Sequence, residues 1–412
     1  MKILHTADWH LGKRLDAFSR FDEQREVLDE ICQIAEAEAV DVVLVAGDLF
    51  DTLHPTAEAT ELLYNTLCRL SAKGTRAVVA IAGNHDSPER IDVPDSLARV
   101  CGILFVGLPN AEIKSYRTAA GLEVLRTDRG FVELKIPGCE APLRLLLTPY
   151  ANELRLKTFL GIEAPDAALR EVLAAHWAHL AETYCDDQGV NVLMTHLFFV
   201  PSSGEMPEEP EGERSILHVG GASAVYSSDV PAQMQYVALG HLHRYQLIDS
   251  QPCPVVYSSS PLAYSFAEAD QTKYVVIIEA EPGQPVAYRP VALTSGKALK
   301  KARFEDVDVA KIWLADNVGA LVQITVVSDT YLEANDKKSL FDAHAGIVAL
   351  IPEVTQTAET GITTRQVADL ANESLEELFV GYFRSSKEGK GQIPSDSLLR
   401  LFREVLAVEP EN

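Results

Sequence analysis

Short, fully apolar runs that stop abruptly at polar residues dominate the first part of the chain. "KIL" gives way to "HTADWH", "VDVVLVAGD" stops at Asp48, "RAVVAIAGNHD" stops at Asn84 and His85, and "GILFVG" follows. Between these runs Val27, Leu28, Ile31, Ile34 and Ala35 keep helical spacing, as do Leu62, Leu63, Thr66, Leu67 and Leu70. Runs apolar on both faces, alternating with one-sided helices, predict an α/β layered sheet covered on both sides. Ser87 followed by Pro88 predicts a helix start, a capping hydroxyl and then a first-turn proline.

From residue 111 to 150 the alternation in "FVELKI" and "RLLLTP" predicts strands. A long helix is expected over 164 to 184, with Leu169, Val172, Leu173, His176, Trp177 and Leu180 on one face. On such a face His176 is expected to be a hydrogen-bonded core residue rather than a ligand. "VNVLMTH" and "YVALGHLH" are further buried runs that end in histidine, and the acidic "PSSGEMPEEPEGER" between them is expected to be a mobile surface loop. "VVYSSSP" and "KYVVIIEA" add two strands before the turn Glu281-Pro282-Gly283-Gln284-Pro285, where a domain boundary is expected. The chain then divides into a layered domain over 1–283, a small α+β unit over 284–355 ("ALVQITVV", "EANDKKSLFDAHA"), and a tail over 356–412. In the tail, Leu375, Leu378, Phe379, Tyr382 and Phe383 form one apolar stripe, and Leu398, Leu399, Leu401, Phe402, Val405 and Leu406 form another. Each helix is too short to be stable alone. After the polar "TQTAETGITTRQVADLANES", the pair is expected to dock on a partner.

Composition narrows the class. An apolar fraction of 47% and a charged fraction of 23% are ordinary for a soluble globular protein, and 412 residues exceed one average domain. "MKILHTADWH" has no basic region leading into a long apolar stretch, and no run is long enough to span a bilayer, so a cytoplasmic protein with no membrane segment is expected. The six cysteines lie far apart with no CxxC pair, which predicts reduced thiols used as small apolar residues. The 36 Lys plus Arg against 60 Asp plus Glu give a net charge of −24. Such a surface repels phosphate backbones, so action on nucleic acid would need local positive charge from metal ions or a partner.

The candidate chemistry lies where the apolar runs end: Asp8 and His10, Asp48, Asn84 with His85, His196, and His241 with His243. In an α/β sheet the carboxyl ends of the strands share one edge, where ligands bind. Carboxylates, one amide oxygen and several imidazoles suit two Mn, Fe or Zn ions rather than a thiolate zinc site. The spacings Asp-x-His and His-x-His let both side chains of an extended segment point the same way. His5 and His54 are not counted among these residues. A binding module that had lost its chemistry would have no reason to keep so many costly polar groups at one edge.

Through "HTADWHLGK", "VLVAGDLFD", "IAGNHDSPER", "VLMTH" and "ALGHLHRYQ" the sequence resembles the calcineurin-like binuclear metallophosphoesterases, and among them the SbcD type of nuclease subunit. The resemblance implies a layered metallophosphoesterase β-sandwich flanked by helices, with a small α+β capping domain and a C-terminal helical pair. It implies that Asp8, His10 and His243 hold one divalent metal and Asn84, His196 and His241 the other, with Asp48 bridging them and Mn2+ as the metal. His85 is then left free for catalysis, and Asp86 is expected to orient it or to cap the next helix. The implied activity is Mn-dependent cleavage of DNA, alongside an SbcC-like coiled-coil ATPase and as a homodimer within a heterotetramer. A phosphatase or small phosphodiesterase would use the same site. No G-x-x-x-x-G-K-[ST] occurs, and "TSGKAL" lacks both the leading glycine and a hydroxyl after Lys297, so ATP binding is expected on the partner. Ser259 stands where the resemblance implies glycine, which puts a tight backbone approach there in question.

Overall fold

The computed structural model describes residues 1–157, 165–202, 224–329 and 332–354, with Phe383, Pro394, Leu398 and Leu399 as isolated positions. The acidic loop beyond Ser202 and, apart from those isolated positions, the C-terminal helical pair lie outside the described residues. Two sheets carry the main body. The first is built from β1 (Lys2–Thr6), β2 (Val42–Ala46), β3 (Ala77–Ile81) and β4 (Ile103–Val106), with α1 (Phe21–Ala37) and α2 (Ala57–Leu70) between its strands. The second is built from β5 (Glu123–Asp128), β6 (Phe131–Lys135), β7 (Leu143–Thr148), β8 (Val190–Thr195), β9 (Tyr236–Leu239), β10 (Gln246–Asp249) and β11 (Val255–Tyr257), with α3 (Pro165–Tyr184) before β8. The chain then returns to the first sheet through β12 (Tyr274–Glu279) and β13 (Ala287–Ala292). The spatial orders are β13-β12-β1-β2-β3-β4 and β10-β11-β9-β8-β7-β6-β5.

Burial on both faces explains the unbroken apolar runs. In β2, Val42, Leu44 and Ala46 face the second sheet, where they meet residues such as Leu145, Val192 and Ala238. Val43 and Val45 face the other way, against Leu28 and Ile31 of α1 and Leu63 and Leu67 of α2. On the far side of the second sheet, Leu146, Leu193 and Val237 pack on Leu173, Trp177 and Leu180 of α3. The layers are therefore helix, sheet, sheet, helix, the expected β-sandwich flanked by helices. Each fully buried Val or Leu contributes about 1.5–3 kcal/mol, so the sheet–sheet seam is a rigid platform.

Ser87 caps the short helix Pro88–Asp92, as expected. His176 on α3 is hydrogen-bonded to the Arg129 carbonyl at 3.0 Å, but it is half-buried rather than in the core, and Val172 of the same expected face is exposed. The turn at Glu281–Gln284 corrects the boundary expected at residue 283. It joins β12 to β13, which pair antiparallel over Tyr274–Glu279 and Ala287–Ala292, so it is a hairpin within the first sheet. A small third sheet follows, ordered β14-β15-β16 (Leu299–Phe304, Leu321–Ser328, Ile347–Val354). It packs with α4 (Val307–Asp316) and α5 (Ala334–Ala343) around Ala310, Leu314, Val322, Ile324 and Leu340. Among the described residues, no helix is long and apolar enough to cross a membrane.

Candidate binuclear metal site

The parallel strands β1, β2 and β3 of one sheet and β8 and β9 of the other end at a common edge, and the loops leaving them carry every candidate residue. Several of these residues sit in the left-handed backbone region: Asp8 (φ 55), His10 (φ 44), Asp48 (φ 49) and His241 (φ 109). Each such non-glycine position costs of order 1–3 kcal/mol, and clusters of them mark functional sites. Glycine is required at two close approaches, one between the sheets and one between two loops of the first sheet. A Cβ on Gly240 would lie 1.8 Å from the Ala46 carbonyl oxygen, and one on Gly83 would lie 2.1 Å from Asp48 Oδ1.

The side chains converge as a set of lone pairs. Asp48 Oδ2 lies 3.4 Å from His10 Nε2 and 3.4 Å from His196 Nε2, between the two groups. On one side His10 Nε2 faces His243 Nε2 at 3.0 Å, and Asp8 Oδ2 is buried with no hydrogen-bond partner. On the other side Asn84 Oδ1 lies 3.0 Å from His196 Nε2 and 3.1 Å from His241 Nδ1. His196 Nδ1 is 2.8 Å from the Ala46 carbonyl, which can only accept, so this nitrogen donates and Nε2 is the one that faces Asn84 and Asp48, able to present a lone pair there once the ring is neutral. Acceptors packed face to face repel unless positive charge lies among them.

The local electrostatics show the same demand. Burial alone would depress His196, but the Asp48 and Asp8 carboxylates outweigh it and raise its pKa to about 9. Burial raises Asp8 to about 7, against the pull of His196 and His243. Asp48 is buried too, yet His196 and His10 hold it well below the carboxylate range. Burial lowers His10 to about 4 and His241 to about 3. Two overlapping triads, Asp8–His10–His243 and Asp8–Asp48–His196, bring their ligand atoms within 4.8 Å of one another. The residues present therefore fit two divalent cations.

His85 joins His10 and Asp51 in a third group whose ligand atoms lie within 4.8 Å of one another. Its backbone N–H donates to Asp48 Oδ1 at 2.9 Å, and its ring Nδ1 donates to the Asp51 carbonyl at 3.0 Å. The ring stands edge-on to His10, with centroids 4.8 Å apart. With Nδ1 engaged, Nε2 is the nitrogen that can meet a substrate.

Several supporting residues go beyond the sequence reading. Asp86 neither orients His85 nor caps the helix. Its carboxylate accepts from the N–H groups of Leu49 (3.0 Å), Phe50 (2.9 Å) and Gly83 (2.8 Å), locking the Asp48 loop to the Asn84 loop. Arg155 donates to the carbonyls of Gly83 (2.7 Å), Asn84 (3.3 Å) and Asp86 (2.8 Å). Asp51 lies 3.6 Å from His10 Nδ1 and accepts from Lys13 Nζ at 2.7 Å. Asp51 and Asp86 stand beside the motifs that carry the ligands, and that proximity was their signal. Arg155 had none. Ser259 takes the backbone that a glycine favours (φ 84), and its hydroxyl accepts from the Tyr274 N–H at 2.9 Å and lies 3.2 Å from the Tyr274 carbonyl. The close approach to β12 is therefore kept, with a serine.

A family model of calcineurin-like phosphoesterases matches residues 1–245, and the chain belongs to that family. Within it the chain is of the SbcD type. It is 32% identical over 420 residues to the SbcD subunit of the nuclease SbcCD from Bacillus subtilis, covering 100% of both chains. It is 33% identical over 297 residues to the protein of the same name from Rhodobacter capsulatus, covering 71% of this chain and 69% of that one.

Proposed function

We propose that this chain is the nuclease subunit of an SbcCD-like complex, hydrolysing DNA phosphodiesters at duplex ends and in hairpins or single strands, with Mn2+ as the metal. The carrying observation is Asp48 Oδ2, equidistant at 3.4 Å from His10 and His196, with a separate cluster of lone pairs on either side. Asp8, His10 and His243 would hold one cation and Asn84, His196 and His241 the other, with Asp48 shared. When bound, such a pair supplies charge neutralisation for a phosphodiester and makes water nucleophilic near neutral pH. Asp86 and Arg155 fix the two ligand loops so that the geometry does not relax as charge develops. His85, oriented by the Asp51 carbonyl, holds a proton at Nε2 and delivers it to the leaving oxygen.

ATP dependence is assigned to a partner, an SbcC-like coiled-coil ATPase, because this chain has no phosphate-binding loop and a net charge of −24. Pairing of two copies within a heterotetramer is supported by the exposed stripe Val93, Leu97 and Val100, each more than 70% accessible. The decisive assay compares the purified chain with and without Mn2+ and the ATPase, on duplex ends, hairpins and an aryl phosphodiester. Mn-dependent cutting of all three, stimulated by ATP only with the partner, is expected. Cleavage of the aryl substrate alone, even with the partner present, would instead assign a small phosphodiesterase. A chain ending near residue 360 should keep the aryl activity and lose the partner-dependent cutting.

A further inference from the structure

Behind His243, on the side away from His10, lies an ion pair that the sequence reading did not use. Glu268 and Lys273 are almost completely buried, and Lys273 Nζ donates to Glu268 Oε2 at 2.6 Å. The same ammonium donates to the His243 carbonyl at 2.8 Å and to Ser260 Oγ at 3.0 Å. The other carboxylate oxygen, Glu268 Oε1, lies 3.5 Å from His243 Nδ1 and accepts from the Tyr264 N–H at 3.1 Å. One pair thus meets His243 twice: Lys273 bonds its backbone carbonyl, and Glu268 sets a carboxylate oxygen 3.5 Å from its ring Nδ1, longer than a normal hydrogen bond. Taking two charges out of water costs several kcal/mol per ion, a poor way to stabilise a loop that apolar packing could hold.

The outer contacts of the imidazoles are unequal. His10 and His243 each turn Nδ1 towards a carboxylate, Asp51 at 3.6 Å and Glu268 at 3.5 Å. His196 turns Nδ1 to a neutral backbone carbonyl. A carboxylate behind a ligating imidazole fixes its tautomer and ring orientation and makes it a better donor.

We propose that Glu268 is a positioning residue for His243, and that the buried Glu268–Lys273 pair makes the cation site of Asp8, His10 and His243 the tighter of the two. This deepens the binuclear reading of the site and rests on it. Glu268 touches no reacting atom. It faces His243 Nδ1 while His243 Nε2 points towards His10 Nε2, and Lys273 holds the carboxylate in register.

The test is Mn2+ binding to the full chain, followed by titration calorimetry and by electron paramagnetic resonance, which separates a spin-coupled Mn pair from an isolated ion. The parent chain is expected to bind two equivalents in two resolved steps. Glu268→Gln should weaken the first step by about 10- to 100-fold and leave the second unchanged. At one equivalent, Mn2+ should then move to the other site. Because Glu268→Gln strands a buried ammonium, Glu268→Gln with Lys273→Met is measured in parallel, and both folds are checked by thermal unfolding. Two unchanged steps in either folded variant would overturn the proposal, as would equal weakening of both. A parent chain that fails to bind two ions would instead sink the binuclear reading itself.

Discussion

At the scale of single residues, neighbours in sequence divide their labour by which atom is already engaged. Asn84 offers Oδ1 to the lone-pair cluster, while His85 has its backbone on Asp48 and its ring on the Asp51 carbonyl. His85→Ala should therefore retain two Mn2+ per chain and lose on the order of 10²–10⁴ in turnover, the usual contribution of a positioned acid. Asp48→Ala should lose both ions together. Metal analysis by mass spectrometry beside a rate measurement decides, and an emptied site in His85→Ala would make that residue a ligand. Ser259 allows a stability test away from the chemistry. Ser259→Ala keeps the left-handed backbone and loses the hydroxyl bonded to β12, and should cost about 2–3 kcal/mol. Ser259→Gly relieves the backbone as it loses that bond, and should lie within about 1 kcal/mol of the parent by denaturant unfolding.

At the scale of elements, the site depends on how closely two sheet edges approach. Gly240→Ala would drive a Cβ into the Ala46 carbonyl, which is backbone and cannot swing aside. The expected cost is about 1–3 kcal/mol, with weakened Mn2+ binding because β2 and β9 carry ligands on both sides of the clash. His5 on β1 adds a pH dependence. It is fully buried, its Nε2 donates to the Leu239 carbonyl, and burial lowers its pKa to about 3 from an ordinary 6.5. The unfolded chain takes up a proton that the folded one refuses, so stability is intact above pH 6.5 and falls as pH drops from 6.5 towards 3, by up to about 1.4 kcal/mol per pH unit. In His5→Gln the slope of unfolding free energy against pH should be shallower in that window by about one proton. An unchanged slope would place the acid sensitivity in other histidines.

The elements legible in the sequence are those buried on both faces. β1 to β4, β8 and β9 read as apolar runs because nothing polar can lie between two packed layers, and their polar ends stood out for the same reason. β13 went unread because it is an edge strand: Ala287–Ala292 mixes Arg289 and Pro290 with exposed positions, and its partner supplies the pattern it lacks. Glu268, Lys273 and Arg155 were unreadable for another reason. Their contacts with the site lie 25 to 72 residues away, and nothing local marks a charged residue as buried.

At the scale of the whole molecule, charge sets the terms of substrate encounter. With a net charge of −24, the isolated chain should bind duplex DNA weakly and with a shallow dependence on salt, few phosphates being neutralised. Tight binding that falls steeply between low and moderate salt would instead reveal a basic cleft hidden by the total.

The order of strands in the first sheet also sets a timetable. β1 lies inside that sheet between β2 and β12, and β12 comes from residues 274–279. The loop after β1 begins the metal site, and His241 and His243 close it. A growing polypeptide that has emerged only as far as residue 230 already carries Asp8, His10, Asp48, Asn84 and His196, but β1 still has a bare edge and two imidazoles are missing. Such a chain should capture Mn2+ no better than an unfolded one. The nuclease would then stay unarmed until most of the protein has left the ribosome, which arrested nascent chains of increasing length can test.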